Sequence, residues 1–61
     1  GLKDWYKTSL NSIDTNTDEG KKLRLAFLFS EAMFTLITLK YIDLSDKEQK
    51  DIFDDLKKFL L

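Results

Sequence analysis

Three aspartates lie close together in the segment DIFDDLKKF near the end of the chain. Grouped carboxylates are ligands that hard cations such as Ca²⁺ prefer, but an ordinary calcium loop alternates its ligands around a central glycine. Asp51, Asp54 and Asp55 instead fall at helical spacing with no glycine among them. The spacing favours the solvated face of a helix, where carboxylates pair with lysines four residues away. The expected pairs are Asp51 with Lys47 and Asp54 with Lys58, and no metal site is predicted.

The sequence contains none of the residue pairs that usually carry out nucleophilic catalysis. Histidine and cysteine are both absent, and the serines fall in helical or capping positions with no activating base beside them. The two glycines are too few and too far apart for a phosphate-binding loop. We therefore expect no enzymatic activity and no cofactor.

The charge balance argues against nucleic acid and against an anionic membrane surface. Ten basic and eleven acidic side chains leave a formal net charge of −1, whereas phosphate binding normally leaves a basic footprint. The one basic cluster, KKLR at 21–24, follows two acidic residues and is typical of a solubilising first helical turn. A small nucleic-acid-binding domain that uses helix 46–61 stays as the alternative function, weakened by the aspartates of that helix.

Sixty-one residues allow one small domain at most. Without cysteine the chain cannot use disulfides, so regular helix packing and oligomerisation remain as sources of stability. The chain begins with Gly1 and ends on apolar residues, so we expect residues 1–61 to be a fragment of a longer regulatory protein. The lack of cysteine and of a signal peptide favours an intracellular, cytoplasmic location.

Two polar breaks, DTNTDEG at 14–20 and DLSD at 43–46, divide the chain into three segments. The first has apolar residues at steps of three and four, which predicts a helix over 2–14 with Trp5 and Tyr6 packed against the middle segment. The third opens on a capping box, in which Ser45 and Glu48 bond to each other's backbone, and predicts a helix over 46–61.

The middle segment contains LRLAFLFSEAMFTLITL at 23–39 and predicts a helix over 18–42. On a helical wheel its apolar residues cover an arc of about 260°, and a narrow polar seam carries Arg24, Glu31, Thr35 and Thr38. The run is too short and too charged to span a bilayer. The expected fold is therefore all-α, a three-helix unit with a long, mostly buried central helix.

The central helix needs more cover than its own chain can supply. In an up–down–up arrangement the first helix would cover its N-terminal half and the third helix its C-terminal half, leaving about one neighbour at each level. One neighbour covers an arc of only about 100–140°. We therefore predict a homo-oligomer, with a dimer favoured; another protein or a missing segment of the same chain is the alternative. The predicted interface residues are Phe27, Phe29, Met33, Phe34, Leu36 and Ile37.

Glu31 is the one charged residue near the centre of this apolar segment. It is either a polar contact that sets the register of a partner, as single polar residues do in coiled coils, or a residue of the solvent-facing seam bonded to Thr35 or Arg24. No motif assigns the chain to a family. The function predicted is a helical protein–protein interaction module, for homo-oligomerisation or for docking a partner.

Overall fold

In the computed structural model, which describes residues 1–61, the chain forms three α-helices and no strand. Helix α1 spans Leu2–Asn11, α2 spans Asp18–Thr38 and α3 spans Asp46–Leu60. The predicted all-α class with three helical segments is confirmed. None of the helices combines the length and the apolarity needed to cross a bilayer.

Helix α3 begins at its predicted capping box. The Ser45 hydroxyl accepts a hydrogen bond from the backbone N–H of Glu48 at 3.1 Å, and the Glu48 carboxylate accepts one from the backbone N–H of Ser45 at 3.3 Å. Acidic residues in the first turn and lysines in the last turn oppose the partial charges of the helix ends. Local sequence therefore accounts for this helix, which ends one residue before the predicted position.

Helix α1 ends at Asn11, short of the predicted end at position 14. The Ser12 hydroxyl donates to the carbonyl oxygen of Ser9 at 2.7 Å, and the Asp14 carboxylate accepts from the N–H of Asn16 at 3.0 Å. Short polar side chains that bond to nearby backbone compete with the helical hydrogen bonds. This competition turns the chain earlier than the apolar periodicity indicated.

Helix α2 begins at its predicted residue and is packed tightly against the preceding turn. The Thr17 hydroxyl accepts from the N–H of Gly20 at 3.0 Å and donates to the carbonyl oxygen of Asp14 at 3.2 Å. Gly20 is buried, and a Cβ atom built on it would overlap the Asp14 carbonyl group. Only glycine allows the backbones of the turn and the helix to approach this closely.

Helix α2 ends at Thr38, four residues before its predicted end at Ile42. Lys40 lies in the left-handed region with φ 60°, and the N–H of Tyr41 donates to the carbonyl oxygen of Leu36 at 2.9 Å. These are features of a Schellman motif, in which glycine usually takes the left-handed position. The sequence carries lysine there, so its pattern contained no stop signal.

The three helices lie in a single layer. The Cα atoms extend over 35 × 31 × 11 Å. Two stacked layers of helices would need about 13–15 Å in the thinnest direction, given interaxial distances of 8–10 Å. The radius of gyration is 13.1 Å, whereas a compact chain of this length has about 10.5 Å. Domains normally bury a core between at least two layers, and this chain supplies only one.

Helices α1 and α3 flank α2 on different sides. Tyr6 of α1 meets Phe27 and Glu31, whereas α3 lies along the side that carries Ala26. The end of α3 reaches back to the level of Leu23, so α3 also flanks the N-terminal half of α2. The predicted division of α2 into an N-terminal half for α1 and a C-terminal half for α3 is therefore corrected: both helices reach the N-terminal half, and Phe27 and Glu31 lie between them.

The single chain buries very little. Only three residues are buried, namely Gly20, Ala26 and Met33, and all belong to α2. The large apolar side chains of α2 are half-buried or exposed apart from Met33. The predicted burial of the central helix is thus not reached within one chain, and burial through association stays a prediction.

Candidate protein-interaction surface

Exposed apolar side chains cover both broad faces of the layer. Such residues scattered singly are normal, but contiguous patches on a soluble monomer seldom exceed a few hundred Å². The exposed large apolar residues come from all three helices and the turn after α2: Leu2, Trp5, Leu23, Leu25, Leu28, Phe29, Phe34, Leu39, Tyr41, Phe59 and Leu61. We divide those of α2 into two groups by their helical spacing.

The leucine face consists of Leu25, Leu28, Ala32 and Leu39 of α2 and its C-cap. Steps of three, four and seven residues place these side chains along one stripe of the helix. Its leucines are between 46% and 56% exposed, and Ala32 is exposed as well. No member of the stripe lines the grooves between α2 and α3, and the ring and hydrogen-bond contacts of α1 with α2 are made to Phe27 and Glu31. The leucine face is therefore the side of α2 that has no partner within the chain.

The aromatic face lies on the opposite side of the layer. It consists of Trp5, Leu23, Phe27, Phe34 and Leu61. Trp5 packs on Phe27 with ring centroids 6.1 Å apart, and a groove between α2 and α3 joins Leu23, Phe27 and Leu61. Polar groups interrupt this groove, since Glu31 and Lys57 also line it. The two faces thus differ: one is a continuous aliphatic stripe, and the other is aromatic with charges inside it.

A second groove of about 230 Å³ lies beside the leucine face. Phe29 of α2 forms one wall, and Ile52, Leu56 and Phe59 of α3 form the other. Asp55 also lines this groove. The groove extends the apolar surface of the leucine face sideways onto α3, so a partner seated on α2 would contact two helices.

The structure disperses the predicted interface residues around α2. Phe34 is 68% exposed and Phe29 is 37% exposed, so both remain available to a partner. Phe27 is half-buried under Trp5 and Tyr6, and Leu36 and Ile37 are half-buried. These residues therefore do not form one contiguous surface.

Met33 is the least exposed of the predicted interface residues. The helical wheel places it on the apolar arc, and its side chain is only 7% exposed in the single chain. A wheel shows which residues share a side of a helix and does not show which side the flanking helices occupy. Met33 belongs to the small intrachain core, and the middle of the uncovered surface is Ala32.

Glu31 bonds to α1 and to neither of the residues proposed for it. The Tyr6 hydroxyl donates to Oε2 of Glu31 at 2.7 Å, and both side chains are partly buried. The hydrogen bond to this carboxylate, with the loss of solvent around the phenol, raises the pKa of Tyr6 above its ordinary value. The predicted bonds to Thr35 or Arg24 are replaced by a contact that ties α1 to α2. Its role towards a partner stays a prediction.

The outer face of α3 carries ion pairs. Lys47 bonds to Asp51 at 2.9 Å, as predicted, and Lys50 bonds to Asp54 at 2.8 Å. The predicted pair of Asp54 with Lys58 is therefore replaced by one with the preceding lysine. The hydrogen bond and charge of Lys50 lower the pKa of Asp54, and Asp54 raises the pKa of Lys50 in return. No group of three acidic side chains is arranged to hold a metal ion.

Sequence reasoning missed the leucine face, although its signal was present. No charged residue falls on this stripe between Leu25 and Leu39, and its spacing is regular. The signal was hidden because apolar residues occur on most other sides of the same helix.

Comparison of the chain with protein-family models, with curated proteins and with solved structures finds no match.

Proposed function

We propose that this chain is a helical protein–protein interaction module and that its principal activity is association with further copies of itself. The observation that carries the proposal is the single layer with apolar residues on both broad faces. A layer one helix thick has no second layer of its own to cover these faces, and a second chain supplies one.

The accessible surface area indicates how much surface an association would bury. The chain exposes 5133 Å², whereas a compact folded monomer of this mass exposes about 4,100 Å². The excess is about 1,000 Å² for each chain, compared with about 800 Å² per partner in an interface of standard size. One association of ordinary size would therefore bring the exposed surface to the value expected of a folded protein.

The charge pattern supports a protein partner over nucleic acid. Helix α3, the helix offered for nucleic-acid recognition, carries five acidic residues against four lysines, and two of these lysines are engaged by Asp51 and Asp54. The proposal assigns the chain no catalytic activity, because nothing in its sequence pairs a nucleophile with a base.

Molar mass and melting temperature, measured together across two decades of protein concentration, test the proposal. Light scattering should give at least twice the monomer mass at the upper concentrations. The melting temperature should rise with concentration, because folding and association are linked by mass action. A monomer mass throughout, with a melting temperature that does not change, would show that one chain folds without a second copy.

A further inference from the structure

We propose that the leucine face pairs with the leucine face of a second copy, with the two α2 helices antiparallel and the two Ala32 residues at their crossing point. This proposal rests on the proposed self-association and specifies its geometry. Symmetry, size and charge of the residues on this face support it.

The leucine face is symmetric about Ala32. Leu25 and Leu39 lie seven residues to either side of it. Leu28 lies four residues before it, and the residue four after it is Leu36, which is half-buried and borders the leucine face. A two-fold axis that passes between the two Ala32 residues, perpendicular to the helices, therefore brings Leu25 of one copy to Leu39 of the other. Closed two-fold interfaces require this kind of self-complementarity. The aromatic face has no such centre, since none of its α2 residues Leu23, Phe27 and Phe34 lies midway between the other two.

The smallest side chain of the stripe lies at its centre. The distance between packed helices is set by the side chains at the point of contact, within a range of about 8–10 Å. Ala32 is exposed and is flanked by leucines on both sides along the stripe. Two helices that cross at alanine can approach closely while their leucines interdigitate, which buries more apolar surface than a crossing at a large residue.

Charge decides between the antiparallel and the parallel direction. Lys21 lies on the same stripe, one turn before Leu25. Parallel helices would place it against Lys21 of the second copy. Antiparallel helices place it beside the C-terminal end of α2, level with Asp43; the last turn there has no basic residue, and Lys40 lies in the turn between the helix end and Asp43. That end also carries the negative partial charge of the helix, so the antiparallel direction replaces repulsion with attraction.

Cysteine cross-linking tests this geometry, because the chain contains no cysteine of its own. Ala32→Cys should form a disulfide-linked dimer under mild oxidation. In the antiparallel dimer the two copies of residue 25 are about 21 Å apart along the helix axis, far beyond the Cα separation of about 7 Å that a disulfide allows. Leu25→Cys alone and Leu39→Cys alone should therefore remain unlinked, and a mixture of the two should link. Phe34→Cys, on the aromatic face, is the matched control and should remain unlinked.

The cross-links separate failure of the geometry from failure of self-association. Linkage of Leu25→Cys with itself would show a parallel dimer, and linkage of Phe34→Cys without that of Ala32→Cys would show pairing through the aromatic face. Either result overturns the antiparallel arrangement and leaves self-association standing, provided that the unmodified chain has the mass of an oligomer. A monomer mass for the unmodified chain at every concentration would overturn both proposals.

Discussion

The two turns that fold the flanking helices onto α2 each place a special backbone requirement on one residue, and only one of the two turns has glycine at that position. The turn between α1 and α2 needs a residue without a Cβ atom at position 20, and it has glycine there. The turn between α2 and α3 needs a residue that tolerates a left-handed backbone at position 40, and it has lysine there. Gly20 therefore satisfies the steric requirement of the first turn, whereas Lys40 adopts a strained backbone conformation in the second.

The difference shows where each flanking helix gets its stability. The first turn is held by close backbone packing and by the Tyr6–Glu31 hydrogen bond farther along α1. The second turn leads into a helix with a complete capping box and an apolar stripe that packs along α2. We infer that α1 depends on tertiary contacts, while α3 has enough local stabilisation to accommodate a strained lysine before it.

The largest effect is expected from Gly20→Ala. The added methyl group would overlap the backbone carbonyl of Asp14, which cannot move without opening the turn. Overpacking costs about 1–3 kcal/mol and occasionally more, and overlap with a backbone group belongs at the upper end of this range, a large part of the roughly 3–9 kcal/mol available to a domain of this size. Chemical denaturation should show a strongly lowered midpoint. Lys22→Ala, at an exposed position in the same turn, is the control and should change the unfolding free energy by less than about 0.5 kcal/mol.

Removal of the cap of α3 should have a smaller effect. Ser45→Ala deletes the hydroxyl that accepts from Glu48, and loss of such a cap costs about 1 kcal/mol. The loss should appear as a lower denaturation midpoint with an unchanged slope. Ser45→Asp keeps an acceptor at the same place and should retain most of the stability. Equal midpoints for the unmodified chain and Ser45→Ala would mean that α3 does not depend on its capping box.

Relief of the strain in the second turn should stabilise the protein. A left-handed conformation costs a residue with a Cβ atom about 1–2 kcal/mol. Glycine removes this strain, but its greater freedom in the unfolded chain offsets about 0.4–1 kcal/mol of the gain in stability. Lys40→Gly should therefore raise the unfolding free energy by about 0.5–1 kcal/mol. Lys40→Ala removes the charge and keeps the strain, so it should give no such gain. A gain with alanine equal to that with glycine would show that charge, not backbone strain, is responsible.

The smallest effect concerns the bond that holds α1. Because the pKa of Tyr6 is raised in the folded protein, the folded state holds the phenol proton more tightly than the unfolded chain does. The resulting stability is present below the ordinary tyrosine pKa of about 10 and is lost as the pH rises past the raised value. The melting temperature should thus fall more steeply above pH 10 for the unmodified chain than for Tyr6→Phe. Tyr41→Phe, at an exposed position, should behave like the unmodified chain.

Local sequence signals were sufficient to predict the parts of the fold that depend on a few neighbouring residues. The number of helices, the start of α2 and the start of α3 were predicted correctly, because caps and charged first turns act within four residues along the chain. The ends of α1 and α2 were placed too late. In α1, local side-chain hydrogen bonds end the helix early. In α2, lysine occupies the left-handed position after the helix, where glycine is the usual sequence signal for a helix end.

The tertiary structure decided how the apolar surface of α2 is divided. An arc of about 260° cannot be divided from a helical wheel, because the wheel does not contain the positions of α1 and α3. Once these helices occupy their sides, Met33 becomes buried, Glu31 meets Tyr6 and the stripe centred on Ala32 is left without a partner. Sequence alone determined that the central helix has more apolar surface than two short helices can cover. Only the packing of three helices into one layer decided which residues remain uncovered, because burial depends on neighbours that are distant along the chain.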